Sequence, residues 1–251
     1  MPTSPNSGLT STASDVSAAL AALADPQVAL GATRFFQTGP GQYGEGDLFV
    51  GIRMPALRTV VKRFAALPLA EVDLLLDSPI HEYRMAALLV LVAQFEQASK
   101  ARVRDDAARA RLAAAYLQAV RRGRVNNWDL VDSSAPTLLG AYHLDRSRDV
   151  FVELAASPEL WERRVAMIGT LGLIMRGDAR TALDLAALLL DDPQPLIHKA
   201  VGWMLREVGK RIDRGLLLGF LEEHAAHMPR TALSYATEHL SSEQRAAYRA
   251  R

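Results

Sequence analysis

The segment VNNWDLVDSSA, residues 125–135, places an indole and two carboxylates within five consecutive residues. On a helix, Trp128 and Asp132 are four residues apart and share one face, whereas Asp129 points roughly 100° away around the axis. A fixed carboxylate beside an indole can stabilise positive charge that develops on a bound substrate. The same two side chains can instead form a buried structural pair, and the segment alone leaves both interpretations open.

The composition excludes several classes of site. The chain of 251 residues contains 29 basic and 28 acidic residues and no cysteine. Disulfides and thiolate metal sites are therefore excluded, and the composition agrees with a reducing cytosol. The histidines show no metal-ligand spacing, so we expect neither a metal nor another cofactor. All basic residues except four lysines are arginines, which suit phosphate, although a GC-rich genome explains the same bias.

The N-terminal sequence MPTSPNSGLTSTAS has no basic region followed by an apolar core, and it predicts a disordered tail over residues 1–14. Residues 15–251 are expected to form a single domain. No apolar run reaches the roughly 18 residues that a membrane-spanning helix requires. These features lead us to expect a cytoplasmic protein with no membrane partner.

The remaining sequence predicts an all-α fold. Segments rich in Ala, Leu, Arg and Glu are separated by Pro, Gly or Asp, and no period-2 strand pattern occurs. Residues 38–51, TGPGQYGEGDLFVG, contain five glycines and a proline and must form a loop. We expect Leu48, Phe49 and Ile52 to insert from this loop into the core, and Tyr43 to bind a partner or anchor the loop.

Three segments resemble one another and begin near Pro79, Pro158 and Pro193. The last two prolines are 35 residues apart and the first two are about twice as far apart, which is typical of an α-solenoid of HEAT-like helix pairs. A base follows each proline by five or six residues: Arg84, Arg164 and Lys199. Such bases can form a stripe along a concave DNA-binding face, or they can be solvated or paired with nearby acids.

Four ordered motifs resemble the AlkD-like DNA alkylation repair family, whose members are HEAT-like-repeat DNA glycosylases. The resemblance runs from Gly51 to His239. Two departures from the family pattern are Asn127, where an aromatic residue is common, and the glycine-rich loop, which replaces a more helical and basic element. The motifs are FVGIRMPALR (49–58), NWDLVDSSAP (127–136), WERRVAMI (161–168) and IHKAVGWMLREVGK (197–210).

The resemblance implies a monofunctional glycosylase that hydrolyses the N-glycosidic bond of cationic alkylated purines, the N3- and N7-alkyl adducts, in double-stranded DNA. It assigns the catalytic site to Trp128, Asp132, Arg164 and Trp203. In this scheme Asp132 stabilises the oxocarbenium-like sugar, the two indoles flank the sugar and backbone, and Arg164 holds a phosphate.

The predicted DNA-binding residues are one aromatic side chain from the loop and four bases, and the protein is expected to act as a monomer. Two other functions stay open at this point. The chain can be a non-catalytic module that binds distorted or branched DNA, or a HEAT-type protein scaffold. The DNA-binding set consists of Tyr43, Arg84, Arg163, Lys199 and Arg206.

Overall fold

The computed structural model of the protein describes residues 11–251. It contains two compact units, one reaching to Ala108 and the other spanning Arg109–Arg251. Most of the predicted disordered tail lies outside the described residues. Its last residues are ordered, because Thr12 caps the first helix in a reciprocal capping box with Asp15. The prediction of a single domain over residues 15–251 stays a prediction.

The described residues form fourteen α-helices and no named strand, which confirms the predicted all-α class. The first unit contains α1 (Ala13–Ala21), α2 (Pro26–Phe35), α3 (Met54–Arg63), α4 (Leu69–Leu76), α5 (His81–Ala98) and a 3₁₀ turn at Ala101–Val103, and the boundary between the units falls within α6 (Asp106–Arg121). The second unit continues with α7 (Trp128–Ala135), a π-helical segment (Pro136–Ala141), α8 (Asp149–Ala155), α9 (Leu160–Ile174), α10 (Arg180–Leu188), α11 (Pro195–Arg211), α12 (Arg214–His224), α13 (Arg230–Ala236) and α14 (Ser242–Arg249).

The glycine-rich loop is ordered by hydrogen bonds to the start of α5. Glu82 is buried, and its carboxylate accepts the backbone N–H groups of Val50, Gly51 and Ile52 at 2.8–3.2 Å. Gly51 has a φ of 83°, and a Cβ there would overlap the carbonyl oxygen of Asp25. Only glycine fits this conformation and this close approach, so the glycine positions the loop against α2.

The outcome for the apolar loop residues is mixed. Ile52 is buried as expected, and Phe49 stacks on His81 with the ring centroids 4.6 Å apart. The expectation for Leu48 is wrong, because its side chain is 56% exposed. Its backbone is the part that holds the loop, since it forms an isolated parallel bridge with Ile80. Tyr43 is half-buried and its hydroxyl donates to the carbonyl of Phe35, so it anchors the loop.

The three proline-led segments share a hydrogen bond that the sequence comparison did not predict. The fifth residue after each proline bonds to the carbonyl immediately before that proline. These bonds are Arg84 to Ser78, Arg163 to Ser157, and His198 to Asp192, at 2.5–3.0 Å. Position five therefore closes the turn that starts each helix, and its polar side chain has a structural partner in all three segments.

In the second unit, glycines bring the π-helical segment and α9 into backbone contact. A Cβ on Gly140 would overlap the carbonyl oxygen of Gly169, and a Cβ on Gly172 would lie 2.8 Å from the amide nitrogen of Ala141. The helix α11 packs against α9, α12 and α13. The helix α7 runs directly into the π-helical segment. The close packing of that segment on α9 therefore fixes the distance between the end of α7 and α9.

Among the described residues, no single helix has the length and apolar character needed to cross a bilayer. Taken together, α1 and α2 are long and apolar enough, by length and composition only, but the chain bends by 102° between them.

Gly172→Ala should destabilise the protein by roughly 1–3 kcal/mol, because the added methyl group meets backbone atoms that cannot move aside easily. The free energy of unfolding, measured by urea titration followed by circular dichroism, checks this expectation.

The matched control is Gly219→Ala on α12, where a Cβ meets nothing within 4 Å. This variant should gain roughly 0.5–1 kcal/mol from the better helix propensity of alanine. If both variants changed stability by the same amount, the backbone contact at Gly172 would not limit the packing of α9.

Candidate active site

The helix α7 begins at Trp128 because Asn127 caps it. Asn127 is fully buried, and its side-chain oxygen accepts the backbone N–H of Trp128 at 2.9 Å. Asparagine is among the best N-cap residues, which gives a physical reason for its presence at this position. Trp128 and Asp132 therefore lie one turn apart on the same face, and both side chains are partly exposed.

Asp132 forms a two-pronged ion pair with Arg164 on α9. Nη2 of Arg164 lies 2.8 Å from Oδ2 and 2.9 Å from Oδ1, and Nε lies 3.1 Å from Oδ1. The Arg164 side chain is 5% exposed and the Asp132 side chain 17% exposed. The planar guanidinium of Arg164 therefore binds a carboxylate of the protein itself, and the phosphate contact that the resemblance implies stays a prediction.

The third nitrogen of Arg164 connects this pair to α11. Its Nη1 donates to the backbone carbonyl of Leu196 at 2.7 Å. Leu196 lies in the first turn of α11, where a carbonyl can accept a side-chain donor in addition to its helical partner. One buried arginine thus links α7, α9 and α11, and it holds the Asp132 carboxylate in a fixed orientation.

The protonation of Asp132 reflects two opposed effects. Burial raises the pKa of the Asp132 carboxyl above its ordinary value, while the guanidinium of Arg164 opposes that rise. The nearby Asp129 carboxylate adds a smaller upward contribution to this pKa. A carboxylate in this environment has lost much of its water and interacts strongly with any cation that approaches its exposed edge.

Trp203 has a partner that we did not predict from the sequence. Its indole Nε1 donates to Oε1 of Glu207 at 3.3 Å, one turn along α11. Glu207 is buried, and Nε of Arg211 lies 2.5 Å from its other oxygen. Although burial acts to raise it, the pKa of Glu207 is held below its ordinary value, chiefly by the hydrogen bond from Arg211. The four-residue spacing between Trp203 and Glu207 is the sequence signal that could have revealed this contact.

The predicted DNA-binding residues fall into different environments. Arg84, in the first unit, is buried and forms a 2.5 Å ion pair with Asp47 of the glycine-rich loop. It therefore stabilises the loop and is not exposed on the surface. Arg163 is half-buried and pairs with Asp192. Arg206 pairs with Glu238. Lys199, the fifth residue of α11, is exposed. Three of these four bases, Arg84, Arg163 and Arg206, therefore have acidic partners that the sequence could not show.

The described part of the chain holds no group of three or more His, Asp or Glu side chains that could bind a metal ion. The candidate site brings together carboxylate, guanidinium and indole side chains.

The family model described as DNA alkylation repair enzyme matches residues 16–240. The chain belongs to the DNA alkylation repair enzyme family. This match extends beyond the four motifs and includes all residues of the candidate site. No curated protein matches the chain.

A solved structure has a similar fold, namely a predicted DNA alkylation repair enzyme from Enterococcus faecalis. The similarity covers 87% of this chain and 97% of that chain, with a TM-score of 0.67 and 18% sequence identity. At this identity the likeness concerns the fold alone.

Arg164→Met should destabilise the protein by roughly 3–5 kcal/mol, because it leaves the Asp132 carboxylate buried without its partner. The double variant Arg164→Met/Asp132→Asn should be less destabilised than the sum of the single variants, by roughly 1–3 kcal/mol. Urea unfolding of the four proteins measures this coupling energy.

Arg180→Met provides the control, because the Arg180 side chain is 89% exposed and lies 3.8 Å from Asp184. It should change stability by less than about 0.5 kcal/mol. Strictly additive effects of Arg164→Met and Asp132→Asn would show that the two side chains do not interact in solution.

Proposed function

We propose that this protein is a monofunctional DNA glycosylase that removes cationic alkylated purines, the N3- and N7-alkyl adducts, from duplex DNA. The single observation that carries the proposal is the partly exposed, oriented Asp132 carboxylate on the same face of α7 as Trp128. Family membership supplies the context of alkylation repair. We further propose that the protein acts as a monomer in the cytoplasm, where it reaches chromosomal DNA.

The proposed reaction replaces the bond between C1′ and the purine nitrogen by a bond between C1′ and a water oxygen. The electron pair of the breaking bond neutralises the cationic purine, which leaves as a neutral base. The attacking water loses one proton to the solvent, directly or by way of the Asp132 carboxylate. The deoxyribose passes through an oxocarbenium-like state whose positive charge faces Asp132. A carboxylate already fixed by Arg164 stabilises this charge without reorganising, and it can orient the attacking water.

The choice of cationic purines follows from the modest chemistry of the site. A purine that already carries positive charge is a good leaving group, so the protein needs no metal and no strong general acid. Two indoles, those of Trp128 and Trp203, provide electron-rich faces that attract the positively charged sugar and base. Arg164 would then act by positioning Asp132, and any contact of Arg164 with a phosphate would require it to exchange its present acceptors.

In this proposal the helices form an α-solenoid of HEAT-like pairs, and its concave face binds the DNA duplex. Binding to the phosphate backbone would supply most of the affinity and little sequence preference. Of the predicted DNA-binding bases, Lys199 best fits this role, because it is exposed on α11, whereas Arg84, Arg163 and Arg206 pair with acids.

A second candidate function is DNA binding without excision. The observation that favours it is the two-pronged pairing of Arg164 with Asp132, which compensates the negative charge that catalysis would use. Incubation with duplex DNA that contains N7-methylguanine or N3-methyladenine separates the two functions. Release of free base supports the glycosylase, and binding without release supports the alternative.

Asp132→Asn should slow single-turnover excision of a cationic methylated purine by about a hundredfold to a thousandfold, because the charge facing the sugar is lost. The variant should also lose roughly 1–3 kcal/mol of stability, since Arg164 is left with a poorer acceptor. The excision rate is therefore measured at a temperature where circular dichroism shows that the variant is folded.

The matched control is Asp129→Asn, three residues earlier on α7, where the carboxylate accepts the backbone N–H of Leu130. This variant should keep most of the activity. An Asp132→Asn protein that is folded and as active as the wild type would remove Asp132 from the catalytic role.

Lys199→Gln should weaken binding to unmodified duplex DNA and reduce the slope of log K against log salt by about 0.9, the value for one phosphate. Arg84→Gln should instead lower stability and leave the slope unchanged, because Arg84 is buried beside Asp47. Fluorescence anisotropy between low and moderate salt measures the slopes. Binding that is insensitive to salt in the wild type would argue for a protein scaffold.

A further inference from the structure

The second unit contains a basic cavity that the proposed reaction does not use. It has a volume of about 320 Å³ and lies where the end of α11, the start of α12 and the end of α13 meet. Its polar side chains are those of Arg206, Lys210, Arg214 and His239. Of the described residues that line the cavity, none is acidic.

The charge of Arg206 is already compensated. Its guanidinium pairs with Glu238, and its Nη2 lies 3.6 Å from Oε1 of Glu207. Arg206 therefore forms a fixed wall of the cavity and is not the group that a ligand would meet first.

The other three bases are available to a ligand. Within residues 11–251, the side chains of Lys210 and His239 form no hydrogen bond or ion pair, and both are exposed. Arg214 donates from Nη2 to the neutral side-chain amide of Gln244 at 2.7 Å. Asp213, the acid that precedes Arg214, is the N-cap of α12 and accepts the backbone N–H of Gly215 at 2.7 Å. Among the described residues, Lys210 and Arg214 thus bring positive charge to the cavity without forming an ion pair with a carboxylate.

The backbone around the cavity adds to the positive electrostatic potential there. Arg214 is the first residue of α12, and the start of a helix carries partial positive charge that favours an anion. Gly209 keeps α11 and α12 close together, because a Cβ there would lie 2.6 Å from Cδ2 of Leu217. Bases from α11 and α12, together with His239 in the turn after α13, consequently line one small volume, which suits an anionic phosphate group.

We propose that this cavity binds a backbone phosphate of the DNA substrate, which rests on the proposed function. The position of Lys210 on α11 locates that phosphate. Lys210 follows Trp203 by seven residues, so both lie on one face of the helix, about 10 Å apart along its axis. At about 3.4 Å per nucleotide, this distance places the phosphate within about three nucleotides of the target base.

The test compares wild type with the double variant Lys210→Gln/Arg214→Gln in binding to unmodified duplex DNA. The variant should bind about 5- to 20-fold more weakly at low salt, and its slope of log K against log salt should fall by about 0.9. Lys210→Arg/Arg214→Lys, which keeps both charges, should restore most of the affinity. A slope equal to that of the wild type would overturn the proposal.

A charge-matched control excludes a general electrostatic effect. Lys100→Gln/Arg180→Gln removes the same two charges from sites outside the cavity, and both of these side chains are exposed. It should leave the affinity within about twofold of the wild type. An equal loss in both double variants would mean that net charge, and not the cavity, determines binding.

A scan with methylphosphonate, a neutral phosphate analogue, locates the contact. Single substitutions along each strand of a duplex should weaken wild-type binding at a position within three nucleotides of the lesion, and the Lys210→Gln/Arg214→Gln protein should be insensitive there. If no position behaves this way while inorganic phosphate shifts the His239 ring protons in NMR spectra, the cavity is a free-phosphate site and the DNA assignment is wrong.

These outcomes can be told apart from failure of the glycosylase proposal. DNA binding without release of free base, with the expected fall in slope, would reject the glycosylase and support the phosphate cavity. Normal excision with an unchanged slope would support the glycosylase and reject the cavity.

Discussion

The ion pair between Asp132 and Arg164 is the interaction on which the second unit's candidate site depends. An isolated buried guanidinium is costly, and so is a largely buried carboxylate, so each group stabilises the ionised form of the other. Because Arg164 also donates to the Leu196 carbonyl, the pair joins three helices. The orientation of Asp132 is therefore a property of this packing and not of α7 alone. The proposed catalysis uses the Asp132 carboxylate, whose orientation the packing of these helices has already fixed.

Such a pair forms only if the helices approach closely, and glycines make that approach possible. Gly140 and Gly172 bring the π-helical segment and α9 into backbone contact, which sets the distance over which Arg164 reaches Asp132. Pro136 begins the π-helical segment directly after α7, and its missing N–H makes a regular helical continuation unfavourable. The site geometry therefore rests on residues that carry no chemistry themselves.

The proline-led segments show how one local pattern serves two purposes. The residue five positions after the proline turns back to the carbonyl before it, as Arg84, Arg163 and His198 do. The next residue points elsewhere on the helix, so Arg164 reaches Asp132 while Lys199 remains exposed. The predicted basic stripe combined two kinds of residue. Arg84, at position five, closes a turn, whereas Arg164 and Lys199, at position six, do not. The hydrogen bonds separate the two groups.

The sequence by itself determined the helical class, the family and the face shared by Trp128 and Asp132, because these depend on local periodicity and on ordered motifs. It also placed the loop correctly, since five glycines and a proline exclude a helix there. Only the tertiary structure decided which acid each arginine meets: Asp47 for Arg84, Asp132 for Arg164 and Glu238 for Arg206. These partners are about 30 or more residues apart in the chain, and no local pattern encodes their distance. The sequence does not distinguish a long charged side chain that is solvated from one that is buried. Its role is determined only when packing brings its partner within hydrogen-bonding distance.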